Sequence, residues 1–191
     1  MVQNNMVFGL DRWNAVASSG NFNEVCAGYG TPEKFWGLQE TIPHLKKGMK
    51  FLDVGCGPGR AAEGIKNIAG EYHGVDAHEG LISMAKEHFR CIPNIYFYVN
   101  NSRDLGMFDD NTFDYVYERL MFIHIIKDWI ETYIMEMYRV LKPGGILYIP
   151  DLPEIDHLVN GFTRSEVDKM FKDFSSVEVQ KFNTWTIDCR K

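Results

Sequence analysis

The chain has 191 residues, of which 45% are hydrophobic and 24% are charged. This composition excludes disordered and fibrous proteins, and the length favours a single domain. Lysine and arginine total 20 against 26 aspartates and glutamates, a formal net charge of −6 with no long basic run, so nucleic acid is not expected as the main partner.

The cysteines and the apolar runs predict a reducing compartment and no membrane segment. The four cysteines lie too far apart for a CxxC or zinc-binding pattern: Cys26, Cys56, Cys91 and Cys189. We therefore expect reduced thiols, a cytoplasmic location and no metal site. The N-terminus lacks the regions of a signal peptide, and no apolar run reaches the roughly 18 residues that span a bilayer.

The first 49 residues are predicted to form a helical arm that covers the remainder of a single-domain chain. One helix is expected to begin at Pro32, directly after Thr31, because proline is favoured in the first turn of a helix. Residues 50–191 are predicted to form the domain itself.

From residue 50 onwards, short apolar strands alternate with segments of helical period. Five strands are predicted in this part, at 50–54, 72–76, 95–99, 113–117 and 146–149. Between them, apolar side chains recur every three or four positions, as on one face of a helix: Ala61, Ala62, Ile65 and Ile68; Leu81, Ile82, Ala85 and Phe89; Ile130, Ile134, Met137 and Leu141. This alternation predicts an α/β fold with a parallel sheet covered by helices on both faces.

The last forty residues follow a different pattern. Thr163 and Glu166 have the spacing of a capping box, which predicts the start of another helix. Two β-rich stretches, 177–179 and 185–189, are separated by too few residues for a parallel crossover. The sheet is therefore predicted to end in an antiparallel hairpin.

The most informative stretch is FLDVGCGPGR at 51–60, where a strand runs into a glycine-rich turn and then a helix. Such a turn lets backbone N–H groups approach an anionic or polar ligand. A dinucleotide site would have the spacing G-x-G-x-x-G/A, but here Arg60 holds the last position. Asp76 ends the second strand, 21 residues after Gly55, and is interpreted either as a ligand for ribose hydroxyls or as a helix N-cap.

Three blocks together resemble the class I S-adenosylmethionine-dependent methyltransferases of the small-molecule type. They are DVGCGPG at 53–59, FDDNTFDYVYERLMFIHI at 108–125 and RVLKPGGILYI at 139–149. The resemblance implies a doubly wound, mostly parallel seven-stranded sheet, the Rossmann-like methyltransferase fold, here with a C-terminal antiparallel hairpin. It also implies S-adenosylmethionine as cofactor and S-adenosylhomocysteine as product.

The resemblance assigns cofactor-binding positions residue by residue. The methionine part of the cofactor would be lined by Asp53, Gly55, Cys56 and Gly57. The adenosine part would meet Asp76 at the ribose and Ala77, Ser102 and Arg103 at the adenine. Glu118 would face the cofactor's amino group, and Tyr29, between Gly28 and Gly30, is a further candidate contact. Ser102 is a departure, since relatives usually carry an acidic residue there.

The reaction implied is in-line displacement at the sulfonium methyl group, in which much of the rate comes from orientation of the reactants. An alcohol acceptor would need a base. His124, in LMFIHI after the fourth strand, is the first candidate, with a packed, loop-ordering histidine as the alternative interpretation. Asp151 and His157 are further candidates.

Two rival functions are distinguishable from the sequence. A nicotinamide-dependent oxidoreductase would need a small residue in place of Arg60 and a second catalytic domain, and the sequence supplies neither. A catalytically inactive methyltransferase-like protein that serves as a binding partner remains open. The acceptor is expected to be a small molecule, or a small group on a carrier or glycan, and the oligomeric state is not predicted.

Overall fold

The computed structural model describes residues 10–20, 22, 25, 42–101, 103–125, 127–152, 161–181 and 185–191. The strands are β1 (Lys50–Val54), β2 (Glu71–Asp76), β3 (Ile95–Val99), β4 (Phe113–Glu118), β5 (Leu141–Leu152), β6 (Ser176–Lys181) and β7 (Trp185–Arg190). The helices are α1 (Leu10–Ser19), α2 (Arg60–Ile65), α3 (Glu79–His88), α4 (Lys127–Val140) and α5 (Arg164–Met170), with a short 3₁₀ turn at Phe122–His124.

The seven strands form one sheet in the order β3-β2-β1-β4-β5-β7-β6. β1 pairs with β2, β2 with β3, and β4 with β5, all in parallel. β7 pairs antiparallel with both β5 and β6. The predicted α/β fold, with a mostly parallel seven-stranded sheet and a C-terminal antiparallel hairpin, is confirmed.

The described residues fall into two compact units, 9–100 and 101–191. The first contains β1 to β3 with α1 to α3. Its core is built from the predicted strand residues and from the predicted helix stripes, with Leu81, Ile82 and Ala85 of α3 buried. α2 ends at Ile65, so Ile68 lies beyond the helix and is half-buried. The predicted helix at Pro32 lies outside the described residues.

The second unit contains β4 to β7 with α4 and α5. On α4 the predicted stripe is buried, including Ile130, Ile134 and Met137. β5 begins at Leu141, five residues before its predicted start, because the chain's last residue, Lys191, pairs with Gly144 and Gly145. Gly144 N donates to Lys191 O at 2.9 Å, and Lys191 N donates to Gly145 O at 3.1 Å.

The predicted capping box of α5 is confirmed. Thr163 Oγ1 accepts a hydrogen bond from Glu166 N, and the Glu166 carboxylate accepts one from Thr163 N. Lys127 Nζ contacts the same carboxylate at 2.7 Å. These contacts hold the pKa of Glu166 at about 2, with Lys127 as the largest cause.

The described ranges contain neither a helix that could span a membrane nor a cluster that could hold a metal ion. No helix in them is both long and apolar enough to cross a bilayer. Nor do three or more histidine, cysteine, aspartate or glutamate side chains gather there as a metal site would require.

Candidate functional site

The glycine-rich turn joins β1 to α2 through three residues in the left-handed region. The φ angles are +80° at Gly55, +55° at Gly57 and +90° at Gly59. Two backbone groups anchor the turn to the neighbouring strand, since Gly55 N and Cys56 N donate to Val75 O at 2.8 and 3.0 Å. The turn therefore has a fixed position beside the carboxyl end of β2.

The inner side of this turn is closed by aromatic rings. A Cβ atom at Gly59 would lie 2.8 Å from Phe97 Cζ and 2.9 Å from Phe89 Cε2. A Cβ at Gly74, on β2, would lie 2.8 Å from Cys56 Sγ. At Gly57, by contrast, a Cβ would meet no atom of the described residues within 4 Å. Among the described residues, the turn thus has one packed side and one open side, and the open side can admit a ligand.

Asp76 connects the turn to the start of α3. Its Oδ2 accepts a hydrogen bond from Gly57 N, and its Oδ1 accepts one from His78 N, both at 2.9 Å. The N-cap of α3 is His78, so the interpretation of Asp76 as the N-cap is wrong. Burial raises the pKa of Asp76, and three backbone donors oppose that shift: His78 N, Gly57 N and Ala77 N. A carboxylate has about four acceptor positions, so at least one remains for a hydroxyl of a ribose.

Asp53 lies beneath the turn with only 4% of its surface exposed. Tyr72 Oη donates a hydrogen bond to Asp53 Oδ2 at 2.5 Å. Burial raises the pKa of Asp53 to about 7, an effect that the Tyr72 hydroxyl and the positive charge of Arg60 partly offset. Burial also raises the pKa of the Cys56 thiol, which keeps that residue protonated.

Residues of the turn fit the methionine end and ribose of S-adenosylmethionine in two respects. An open cradle at Gly57 leaves room for backbone approach, and the carboxyl groups of Asp53 and Asp76 offer acceptors for ammonium and hydroxyl donors. Ala77 follows Asp76 and is half-buried. Tyr72, predicted only as the first residue of a strand, contacts the Asp53 carboxyl through a hydroxyl that the strand pattern does not single out.

In the second unit, two carboxylates hold the segment that follows β4. Glu118 is fully buried, and its Oε1 accepts hydrogen bonds from Met121 N at 2.6 Å and Phe122 N at 3.1 Å. Asp151 Oδ1 accepts one from Leu120 N at 3.0 Å. Leu120 has a φ of +61°, a left-handed conformation that costs a non-glycine residue roughly 1–2 kcal/mol. These carboxylates stabilise a strained loop.

Of the other predicted site residues, one is half-buried, one is exposed and three lie outside the described part of the chain. His124 is half-buried in the 3₁₀ turn, and its backbone N donates to Met121 O at 2.8 Å. Arg103 is exposed, with its guanidinium carbon 5.4 Å from the centroid of the Trp129 ring. Three predicted residues lie outside the described part of the chain: Tyr29, Ser102 and His157.

Comparison with known proteins gives one family match and several relatives. The family model described as a methyltransferase domain matches residues 52–149, just over half of the chain. The demethylmenaquinone methyltransferases of Staphylococcus aureus (strain MRSA252) and Staphylococcus carnosus are 36% and 37% identical to it over 107 and 106 residues. These stretches are 54% and 53% of this chain but only 43% and 42% of the relatives. The chain therefore spans less than half the length of these relatives.

Solved structures resemble the fold at low sequence identity. A SAM-dependent methyltransferase from Aquifex aeolicus gives a TM-score of 0.62 at 20% identity, over 96% of this chain and 97% of that one. Phosphoethanolamine N-methyltransferase 1 of Haemonchus contortus, in complex with phosphoethanolamine and S-adenosylhomocysteine, gives 0.71 at 14% identity. That match covers 94% of this chain and 47% of the other.

Proposed function

The chain belongs to the methyltransferase-domain family of class I S-adenosylmethionine-dependent enzymes, and from this we propose that it transfers a methyl group from S-adenosylmethionine to a small-molecule acceptor by in-line displacement. The observation that carries the proposal is the double engagement of Asp76. One carboxylate binds both Gly57 of the glycine turn and the backbone before α3. It thereby fixes a ribose acceptor at a set distance from the turn.

The chain's own residues would bind and orient the cofactor. The glycine turn lines the methionine part with Gly55, Cys56 and Gly57, while Asp53 offers a carboxyl acceptor below it. Asp76 accepts from a ribose hydroxyl through its remaining acceptor position. When bound, S-adenosylmethionine supplies an electrophilic methyl group and a neutral thioether as leaving group. Holding the reactants in line contributes roughly 7–11 kcal/mol in favourable cases.

The acceptor is proposed to be a small molecule. The support is that the relatives named above are demethylmenaquinone methyltransferases, which puts demethylmenaquinone first on a panel of acceptors. If the acceptor arrives protonated, His124 is the proposed proton acceptor, since the ordinary pKa of imidazole suits neutral pH. A cytoplasmic location remains a prediction.

For Asp151, the second base candidate, we expect a supporting role and not proton transfer. Asp151→Asn keeps an oxygen that can accept from Leu120 N, so methyl transfer should fall by less than about tenfold, whereas loss of a general base lowers rates by roughly 10²–10⁴-fold. Asp151→Ala, which removes that acceptor, should lower the free energy of unfolding by about 1 kcal/mol. Turnover and urea unfolding of both variants provide the comparison. A loss beyond 100-fold in the asparagine variant would mark Asp151 as the base.

The proposed function is tested by transfer of a labelled methyl group from S-adenosylmethionine to the panel, followed by mass spectrometry of the product. We expect turnover with at least one acceptor and none with Asp76→Ala. Binding of S-adenosylmethionine without turnover on any acceptor would favour the inactive binding protein instead. No binding of S-adenosylmethionine at all would refute the proposed methyl transfer.

A further inference from the structure

Tyr72 has a place in the structure that packing alone does not explain. It is a fully buried residue of β2, and its ring stacks on Phe51 with centroids 5.8 Å apart and meets Phe97 at 5.7 Å. A phenylalanine would make these ring contacts equally well. The hydroxyl makes the 2.5 Å hydrogen bond to Asp53 Oδ2.

This hydrogen bond controls a carboxyl group directly below the glycine turn. Within the described residues, Tyr72 is the only hydrogen-bond donor to the Asp53 carboxyl. It engages Oδ2 and leaves Oδ1 available. A single strong donor on one oxygen restricts rotation of a buried carboxyl group about its side-chain bonds and so makes the two oxygens unequal.

The charged and titratable groups around Asp53 come from three elements. Arg60, the first residue of α2, favours the ionised carboxylate, whereas Asp76, at the end of β2, disfavours it. Cys56, in the turn, is a protonated thiol. Tyr72 favours the ionised form, because a donor to a carboxylate stabilises its charge. The Asp53 carboxyl is thus balanced between its two protonation states near neutral pH.

We propose that Tyr72 is a positioning residue of the cofactor site, whose hydroxyl holds Asp53 Oδ2 so that Oδ1 can bind the positively charged methionine end of S-adenosylmethionine. The inference rests on the function proposed above. It adds that cofactor binding is linked to loss of a proton from Asp53, since only the carboxylate attracts a cation strongly. Affinity should therefore rise with pH and level off above pH 7.

The test is calorimetric titration with S-adenosylhomocysteine, which carries the same ammonium group, between pH 5.5 and 8. For the natural chain we expect the affinity to rise across this range and level off near its end. In Tyr72→Phe, loss of the donor raises the pKa of Asp53, so the midpoint moves to higher pH and the affinity at pH 7 falls roughly tenfold. Asp53→Asn should give a flat profile.

Two controls separate positioning from packing. In the Asp53→Asn background, Tyr72→Phe should change the affinity by less than about twofold, because the two residues act as one unit. Tyr115→Phe removes a hydroxyl from another fully buried strand tyrosine, near Asp188 and Arg190, and should leave the pH profile unchanged. If Tyr72→Phe lowers the affinity equally in both backgrounds, or without moving the midpoint, the positioning role is refuted.

The natural chain offers a second readout that needs no tyrosine variant. At pH 6.5, titrations in buffers of different ionisation enthalpy should show release of more than about half a proton per cofactor bound, and Asp53→Asn should release almost none. Binding with no proton release contradicts the inference while leaving the proposed function intact. Failure of the natural chain to bind at any pH contradicts the proposed function, and this inference with it.

Discussion

Substitution of Gly59 by alanine should lower the free energy of unfolding by about 3 kcal/mol. The backbone there has a φ of +90°, which costs an L-residue roughly 1–2 kcal/mol. The new Cβ would also lie 2.8 Å from Phe97 Cζ and 2.9 Å from Phe89 Cε2. Overpacking of this kind costs a further 1–3 kcal/mol, typically. Urea unfolding of the chain without cofactor measures the effect.

Gly48→Ala is a matched control for that substitution. Gly48 has nearly the same backbone angle, a φ of +88°, but no atom of the described residues lies within 4 Å of its added Cβ. We expect this variant to lose only about 1 kcal/mol, the cost of the backbone conformation. If the free energy of unfolding falls equally in the two variants, the rings of Phe89 and Phe97 move aside for the new Cβ. Packing of these rings against the turn then contributes little to stability.

Asp76→Ala should weaken binding of S-adenosylmethionine by about 100-fold or more. The variant removes the ribose acceptors, and each hydrogen bond to a charged group contributes roughly 1.5–3 kcal/mol. It also leaves Gly57 N without the acceptor that now lies 2.9 Å away. The loss of the ribose acceptors and the loss of the acceptor of Gly57 N both weaken the complex with S-adenosylmethionine, so calorimetry should detect a large fall in affinity.

Asp104→Ala provides the comparison for this second prediction. The Asp104 carboxylate also accepts a hydrogen bond from a glycine, Gly106 N at 2.9 Å, but it lies in an exposed loop of the other unit. Its loss should change the affinity by less than about twofold. If Asp76→Ala binds as well as Asp104→Ala, then Asp76 has a purely structural role at the start of α3.

Much of the fold follows from the sequence because burial requires a regular spacing of apolar residues. The helix stripe from Leu81 to Ala85 and the strand at 95–99 both have the period of their structure, and both form as predicted. The short separation of the last two strands excludes a parallel crossover, so the C-terminal hairpin was predictable too. The capping box at Thr163 is a local signal that acts within four residues.

Features that depend on distant contacts were not predictable. β5 starts early because Lys191, more than forty residues later, pairs with Gly144 and Gly145. Leu120 has a left-handed conformation that no leucine favours, and its stability depends on Asp151, 31 residues away. Local spacing carries no information about either contact.

The candidate site likewise contains residues that local spacing predicts and residues that depend on distant contacts. The glycine turn and Asp76 have a recognisable spacing, and the structure brings Gly57 and Asp76 together at 2.9 Å. The hydrogen bond from Tyr72 to Asp53 joins two strands across a parallel pair, and a tyrosine in a strand is read first as a core residue. Its chemical role depends on one hydroxyl, which no apolar pattern reveals.

The central claim is that the glycine turn and Asp76 bind S-adenosylmethionine. A crystal structure of the chain with S-adenosylhomocysteine tests this most directly. The account predicts ribose hydroxyls within about 3.2 Å of the Asp76 oxygens and the amino-acid end of the ligand along residues 55–57. Ligand density at another location, or a glycine turn that stays empty at saturating ligand, would contradict it.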